Sequence, residues 1–232
     1  MNAATMAAAQ PQAEPRPPVE GFSGWWDASD QASIQGGGGH TVAAWADKSG
    51  GARHLTQATA GTRPFSGGPS QNGRNVVWST GKQSNMAGSS PQSGQPYTVL
   101  TVAAQTIGDG VQRTAWVMRV TSGEGRVYRN TSDDILLYLG GSLSSGRKWE
   151  RNRPHVITSI FNGAASNVRV DGRYSVSGSL GSFADTQWTI FGMPGAEAWF
   201  GWIGEVVAYP RLLTPSEIGL TEAYLLRKWG IA

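Results

Sequence analysis

The chain contains no cysteine, which removes disulfides and thiolate metal sites from consideration. Histidine is scarce: His40, His54 and His155 stand far apart and share no metal-ligand spacing. No apolar run is long enough to span a bilayer, so no membrane partner is expected. Basic residues exceed acidic ones by only three and form no run, which argues against nucleic acid as the main partner. No serine sits in a Gly-x-Ser-x-Gly elbow, the turn that exposes a nucleophile at the end of a sheet. The first ten residues lack a basic start and a Leu- or Val-rich stretch, so they do not read as a secretory signal.

What is abundant is glycine, 32 residues, and tryptophan, 10 residues, in a chain of 232. Gly-rich turns with many aromatics favour a β-sandwich or barrel over a helical bundle. The length suits one large domain. Residues 1–20 are set apart by composition. They are rich in Ala, Gln and Pro, and Pro11, Pro15, Arg16, Pro17 and Pro18 mark them as an extended arm that cannot bury a core of its own. The domain is expected to run from residue 21 to 232.

Short strands are predicted around Phe22–Asp27, Val42–Trp45, Asn75–Trp78, Tyr97–Gln105, Thr114–Val120, Arg126–Arg129, Ile135–Leu139, His155–Phe161, Asn167–Val170, Tyr174–Val176 and Trp188–Phe191. Alternation places Trp116, Met118 and Val120 on one face. Asp171-Gly172 is a hairpin signal. Residues 79–96, rich in Ser, Gly, Gln and Pro, read as a surface loop. Ser142, Ser144 and Ser145 read as turn residues. The count is ten to thirteen strands, the pattern of an all-β, two-sheet antiparallel sandwich.

The last thirty residues are the most specific. Trp202–Tyr209 reads as a core strand. Thr214, Pro215 and Glu217 then form a capping box with proline at the first helical position, and Leu213 and Ile218 stand where a hydrophobic staple would put them. Glu217 and Glu222 lie early in the helix and Arg227 and Lys228 late, matching the helix dipole. Gly230 is placed to end it. Ile218, Leu225, Leu226 and Trp229 share one face, which should dock.

Four stretches carry a resemblance to a known family: Trp25-Trp26-Asp27-Ala28-Ser29-Asp30; Trp45-Ala46-Asp47-Lys48-Ser49-Gly50 through Arg63-Pro64; Asn72-Gly73-Arg74-Asn75-Val76-Val77-Trp78; and Gly201–Tyr209 with the capped helix and its closing Lys228-Trp229-Gly230. Over residues 21–232 the chain resembles concanavalin A-like (laminin G-like) jelly-roll domains of bacteriophage virion and bacterial surface proteins. The resemblance implies a jelly roll with one C-terminal helix. It implies function poorly, because the fold hosts lectins, glycosidases, adhesion modules and virion proteins.

A glycosidase on this fold needs two carboxylates across a cleft. Glucanases of the family supply them as alternating acids on one strand, and no such stretch occurs here. Glu197 and Glu205 are the nearest pair in a strand-like context, and Glu205 reads more simply as a strand residue paired with an arginine or exposed at an edge. No catalytic residue and no enzyme activity are expected. Calcium is considered because lectin-like relatives often bind it, yet Asp27, Asp30, Asp47, Asp133 and Asp134 complete no calcium loop, and turn-capping Asp is the simpler reading. Arg147, Lys148, Arg151 and Arg153 cluster around Trp149, as an anionic-partner patch or a solvated loop.

Two functions are expected from these features. The first is a non-enzymatic virion-surface protein of a tailed bacteriophage, decorating the capsid and attached by the arm to the major capsid protein or to copies of itself. The second is a carbohydrate-binding adhesion module, with Trp25, Trp26, Trp149 and Trp199 as candidate sugar-binding residues and Trp202 and Trp229 as further stacking candidates. Most of the ten tryptophans are expected in the core. Adjacent Trp25 and Trp26 must point to opposite faces of a strand.

Overall fold

The computed structural model describes residues 15–81, 84–91, 94–120, 123–182, 186–193 and 197–232. Within them run strands β1 (Gly24–Asp27), β2 (Ile34–Gly36), β3 (Val42–Trp45), β4 (Leu55–Thr56), β5 (Ser70–Gln71), β6 (Arg74–Asn75), β7 (Val77–Thr80), β8 (Met86–Ser89) and β9 (Tyr97–Gln105). They are followed by β10 (Arg113–Val120), β11 (Gly123–Arg129), β12 (Asp134–Leu139), β13 (Ser142–Lys148), β14 (His155–Phe161), β15 (Ser166–Val170), β16 (Tyr174–Gly178), β17 (Gln187–Ile190) and β18 (Phe200–Tyr209). One helix, α1 (Pro215–Trp229), closes the described chain.

The strands build an antiparallel two-sheet sandwich. One sheet has the order β1-β18-β9-β14-β15-β16, with β7 also paired to β18. The other has the order β13-β12-β11-β10-β17-β8-β4-β3-β2. Between them lies a core that includes Trp26, Val99 and Ile157 from the first sheet and Trp116, Ile135 and Trp188 from the second. Trp116 stacks on Trp188 at 4.8 Å, and Trp188 stacks on Trp26 at 5.9 Å, so aromatic rings join the layers.

A second apolar cluster covers the outer face of the first sheet. Trp25, Leu100, Val102, Val156 and Val207 meet Ile218, Leu225 and Trp229 of α1 there. This explains why Tyr97–Gln105 reads as a continuous run rather than an alternating one. All nine residues of β9 are buried, because one face meets the core and the other meets the helix side. Trp25 and Trp26 divide as the strand geometry requires, Trp25 under the helix and Trp26 in the main core.

The helix forms as its local signals predict. Thr214 Oγ1 accepts from the Glu217 backbone N–H at 3.3 Å, and Glu217 Oε2 accepts from the Thr214 N–H at 2.8 Å. Gly230 ends it in the left-handed region at φ 62°, where a side chain is disfavoured. Close docking depends on Gly204 of β18. A Cβ there would lie 2.8 Å from the Trp229 ring.

Several expectations are corrected. The described strands number eighteen, because short segments poor in apolar residues are recruited as sheet members. Within 79–96, β8 pairs with β17, and Gly88 fits only because it lacks a Cβ, which would sit 2.6 Å from the His54 carbonyl oxygen. Ser142, Ser144 and Ser145 lie in strand β13, paired with β12, rather than in a turn. Apart from these corrections, the described part of the arm, from Pro15, contacts this chain's own domain. Tyr224 Oη donates to the Pro15 carbonyl at 2.9 Å and Tyr209 Oη to the Val19 carbonyl at 3.0 Å. Pro17 and Val19 are buried, while Pro15, Arg16 and Pro18 are exposed. Pro11 lies outside the described residues. Among the described residues no helix is long and apolar enough to cross a membrane.

Glu217 gives the helix cap a pH dependence. Its carboxylate accepts from both terminal nitrogens of Arg211, at 2.7 and 2.9 Å. Those bonds, then the bond from the Thr214 backbone, bring its pKa from 4.5 down to about 2. A folded pKa below the unfolded one means that the stabilisation is present above about pH 4.5 and is lost as pH falls toward about 2. Hydrogen exchange of the first helical turn should therefore accelerate on acidification across that window, and Glu217→Gln should remove most of the dependence. Protection unchanged across the window would contradict the role given to this carboxylate.

Candidate functional site

The densest group of titratable side chains joins β1, β18 and α1. Asp27 and Glu205 are fully buried and Lys228 nearly so. Lys228 Nζ lies 2.7 Å from Asp27 Oδ2 and 2.8 Å from Glu205 Oε2. Glu205 Oε1 accepts from Trp25 Nε1 at 2.8 Å, and Oε2 from Trp229 Nε1 at 2.9 Å. Tyr224 Oη lies 2.9 Å from Glu205 Oε1. Burial, and then the charge of Asp27, push the Glu205 carboxyl above its ordinary range, against the pull of Lys228 and Trp229. Glu205 is therefore paired with a lysine deep in the fold, not with an arginine or at an edge. Its oxygens are occupied by the Trp25 and Trp229 indoles and Lys228, with the Tyr224 hydroxyl alongside, and are sealed from solvent, so the group locks the helix and has no face for a substrate.

Glu197, the other carboxylate singled out by sequence, lies in a different cluster. Arg126 pairs with it, and Thr114 Oγ1 donates to it at 2.6 Å. Burial raises its carboxyl, but the bonds from Thr114, Arg126 and Gln112 outweigh this and hold it below the ordinary range. Arg126 is itself flanked by the rings of Tyr128 and Tyr138, at 4.5 and 5.1 Å. Glu197 and Glu205 thus each answer to their own cation.

The candidate sugar-binding tryptophans are interior. Trp26 and Trp199 are fully buried, Trp149 is 1% exposed and Trp25 6%. Trp25 reports to Glu205 through its indole N–H, and Trp149 packs edge-on against Trp199 at 4.8 Å. A sandwich with this many layers uses its large rings as fillers, which leaves these four without an open ring face. The loop acids cap turns: Asp27 Oδ1 accepts from the Ser29 N–H, Asp30 Oδ1 from the Ala32 N–H and Asp47 Oδ1 from the Ser49 N–H. Asp134 accepts from Asn130 and pairs with Lys148, and Asp133 pairs with Arg129. Among the described residues no group of three or more His, Asp or Glu is arranged to hold a metal ion. The basic residues around Trp149 also separate. Lys148 pairs with Asp134, Arg153 pairs with Glu150, and Arg147 lies over the Tyr174 ring at 3.9 Å.

Arg151 goes elsewhere, to a cleft of about 400 Å³ at the β7 edge of the first sheet. Cross-strand neighbours Trp78 and Trp202, with Phe200 opposite Thr80, supply its aromatic lining. Ser79, Thr106 and Arg151 supply polar groups, and Pro69 and Ile107 add apolar ones. Trp78 and Phe200 are half-buried, whereas Trp202 is 7% exposed. Each ring is backed by a neighbour: Trp78 stacks on Phe65 at 4.8 Å, Trp202 on Trp229 at 6.5 Å, and Arg113 lies over Phe200 at 4.3 Å. The rings are held rigidly while the cleft stays open. Volume and lining fall within the range of small-ligand sites, apolar walls with a few polar groups. Sequence reading singled out Trp202 as a stacking candidate but passed over Trp78, Phe200 and the cleft they share. Its signal is Phe200-x-Trp202, two aromatics on one face of a strand, but the partner Trp78 stands far away in the chain.

No family model and no curated protein matches the sequence. Solved structures do match the fold. Trypanosoma rangeli sialidase in complex with the inhibitor DANA superposes with a TM-score of 0.64 at 15% identity, over 89% of this chain and 33% of that one. Domain 4 of AbnA, a GH43 extracellular arabinanase from Geobacillus stearothermophilus, in complex with arabinotriose, gives 0.65 at 12% identity, over 86% of this chain and 98% of that one. The binding domain of Paraclostridial Mosquitocidal Protein 1 gives 0.60 at 11% identity, over 77% and 49%. The chain thus spans about a third of the sialidase and nearly all of the arabinanase domain. At these identities the likeness is one of fold.

The charge lock is open to direct test. Removing one partner of a buried ion pair strands the other, at a cost of about 3–5 kcal/mol. Lys228→Met, which keeps the length of the side chain, should lower the unfolding free energy in urea by that amount, because it removes the cation paired with Glu205 and leaves Asp27 to Lys48, 3.7 Å away. A loss under about 1 kcal/mol, the scale of an exposed pair, would show that the cluster is hydrated and does not hold the helix. The chain shares the β-sandwich fold of these solved domains and is assigned to no family.

Proposed function

We propose that this protein binds a glycan, without turning it over, in the cleft between Trp78, Phe200 and Trp202. The observation that carries this reading is the pairing of half-buried, rigidly backed aromatic rings with hydroxyl and guanidinium groups at one concave site. A sugar ring has the complementary character, with an apolar C–H face and a polar hydroxyl edge. The domain of the arabinanase, nearly all of which this chain matches in fold, was solved with arabinotriose, and this supports the same class of ligand here. The two carboxylate clusters are tied up by Lys228 and Arg126, which favours binding over hydrolysis.

Attachment to a virion is a second reading, and it concerns the arm. Residues 15–20 are engaged with Tyr209 and Tyr224 of this chain. A contact with a capsid protein, or with another copy of this chain, would therefore fall to the exposed side of that segment or to residues 1–14.

Trp78→Ala removes a half-buried ring of the cleft and should weaken glycan binding by about tenfold or more, the effect of losing one well-packed aromatic contact. The measurement is a glycan array on the full chain followed by calorimetry on the best ligand, with a thermal melt to confirm that the variant folds. Trp26→Phe, a change confined to the core, is the control and should leave affinity unchanged. Binding that survives Trp78→Ala intact would place the ligand elsewhere on the sandwich.

A further inference from the structure

We infer that the cleft prefers a carboxylate-bearing sugar of the uronic-acid type, and that Arg151 is the residue that reads the carboxylate. This rests on the glycan reading above and adds the chemical class of the ligand.

Among the described residues lining the cleft, Arg151 is the one charged side chain. Its neighbours in sequence are neutralised or covered: Lys148 by Asp134, Arg153 by Glu150, Arg147 by the Tyr174 ring. Arg151 has no carboxylate partner among the described residues. Its Nε donates to the Thr106 carbonyl at 2.9 Å, while Nη1 and Nη2 have no protein partner among the described residues. One edge of the guanidinium is thus anchored and its terminal nitrogens are left for a ligand. A planar guanidinium matches the two oxygens of a carboxylate with parallel charge-assisted bonds.

The loop that carries Arg151 is also held in place. Trp149 is buried against Trp199 and His155. Gln105 Nε2 donates to the Trp149 carbonyl, and the Asn152 N–H donates to the Gln105 carbonyl at 2.7 Å. Gln105 Oε1 in turn accepts from the fully buried Arg129 at 3.0 Å. Both ends of the turn are therefore fastened to the last residue of β9. A pre-positioned cation loses little conformational freedom on binding. A neutral sugar would occupy the aromatic floor but leave this charge unanswered.

The experiment compares uronate oligomers (galacturonate, glucuronate and mannuronate) with their methyl esters, which keep the ring and remove the charge. Calorimetry on the full chain should show at least one acid form bound about tenfold or more tightly than its ester, the scale of one charge-assisted contact. Arg151→Gln should abolish that difference. Arg151→Lys should keep part of it, since a point charge remains but the fork is lost. Equal affinity for acid and ester, with both lost in Trp78→Ala, would overturn the charge preference while leaving glycan binding at the cleft intact. A preference for the acid that survives Arg151→Gln would also overturn it, because another cation would then be responsible. If no uronate or ester binds but neutral glycans do, the inference fails alone. If no glycan of any kind binds, it falls together with the reading beneath it.

Discussion

Lys228 shares one positive charge between two carboxylates that have no contact with solvent. Such a group is costly to bury unless each oxygen and proton finds a partner, and here the partners come from every element that must stay together. Asp27 belongs to the first strand, Glu205 to the closing strand, and Lys228, Tyr224 and Trp229 to the helix. The indole of Trp25 completes the set from the same face of the first strand as Asp27. An apolar helix could slide along an apolar sheet. With a shared ion fixed between Asp27 and Glu205, one register satisfies the buried charges. Gly204 then admits the Trp229 ring at that register, and the carbonyl of Pro15 is held by the same tyrosine that faces Glu205.

This lock shapes the cleft. Trp229 supports Trp202 from one side, and Trp202 is both a wall of the cleft and the cross-strand partner of Trp78. The aromatic floor is therefore the outer margin of the cluster that seats the helix. The tryptophans divide by task. Trp26, Trp116 and Trp188 stack between the sheets, Trp149 and Trp199 secure a loop and the entry to β18, and Trp78 and Trp202 line the cleft. The loop secured by Trp149 is the one that delivers Arg151.

Features set by near neighbours were legible in the sequence. The capping box of Thr214 and Glu217, the stop at Gly230 and the opposed faces of Trp25 and Trp26 are decided within a few residues. The all-β class was legible for a similar reason, since glycine and asparagine turn signals are local. Features set by distant residues were not. Strand β8 carries Gly88 and Ser89 and acquires its role from β17, far along the chain. The charge of Glu205 is answered from the helix by Lys228, whose place late in α1 reads equally well as a dipole effect. The candidate site shows the same limit. Trp25 and Trp149 look conspicuous in sequence and are core, whereas Trp78 looks like one strand residue among several. Its exposure is settled by Phe200 and Trp202 from β18.

The central claim is that a sugar ring rests on Trp78 and not on the buried tryptophans. The most direct measurement is the set of indole N–H resonances during titration with the best-bound glycan. The resonances of Trp78 and Trp202 should shift progressively and saturate together, while those of Trp26, Trp116 and Trp188 stay in place. Shifts confined to other indoles, or none at saturating glycan, would contradict the assignment of the cleft.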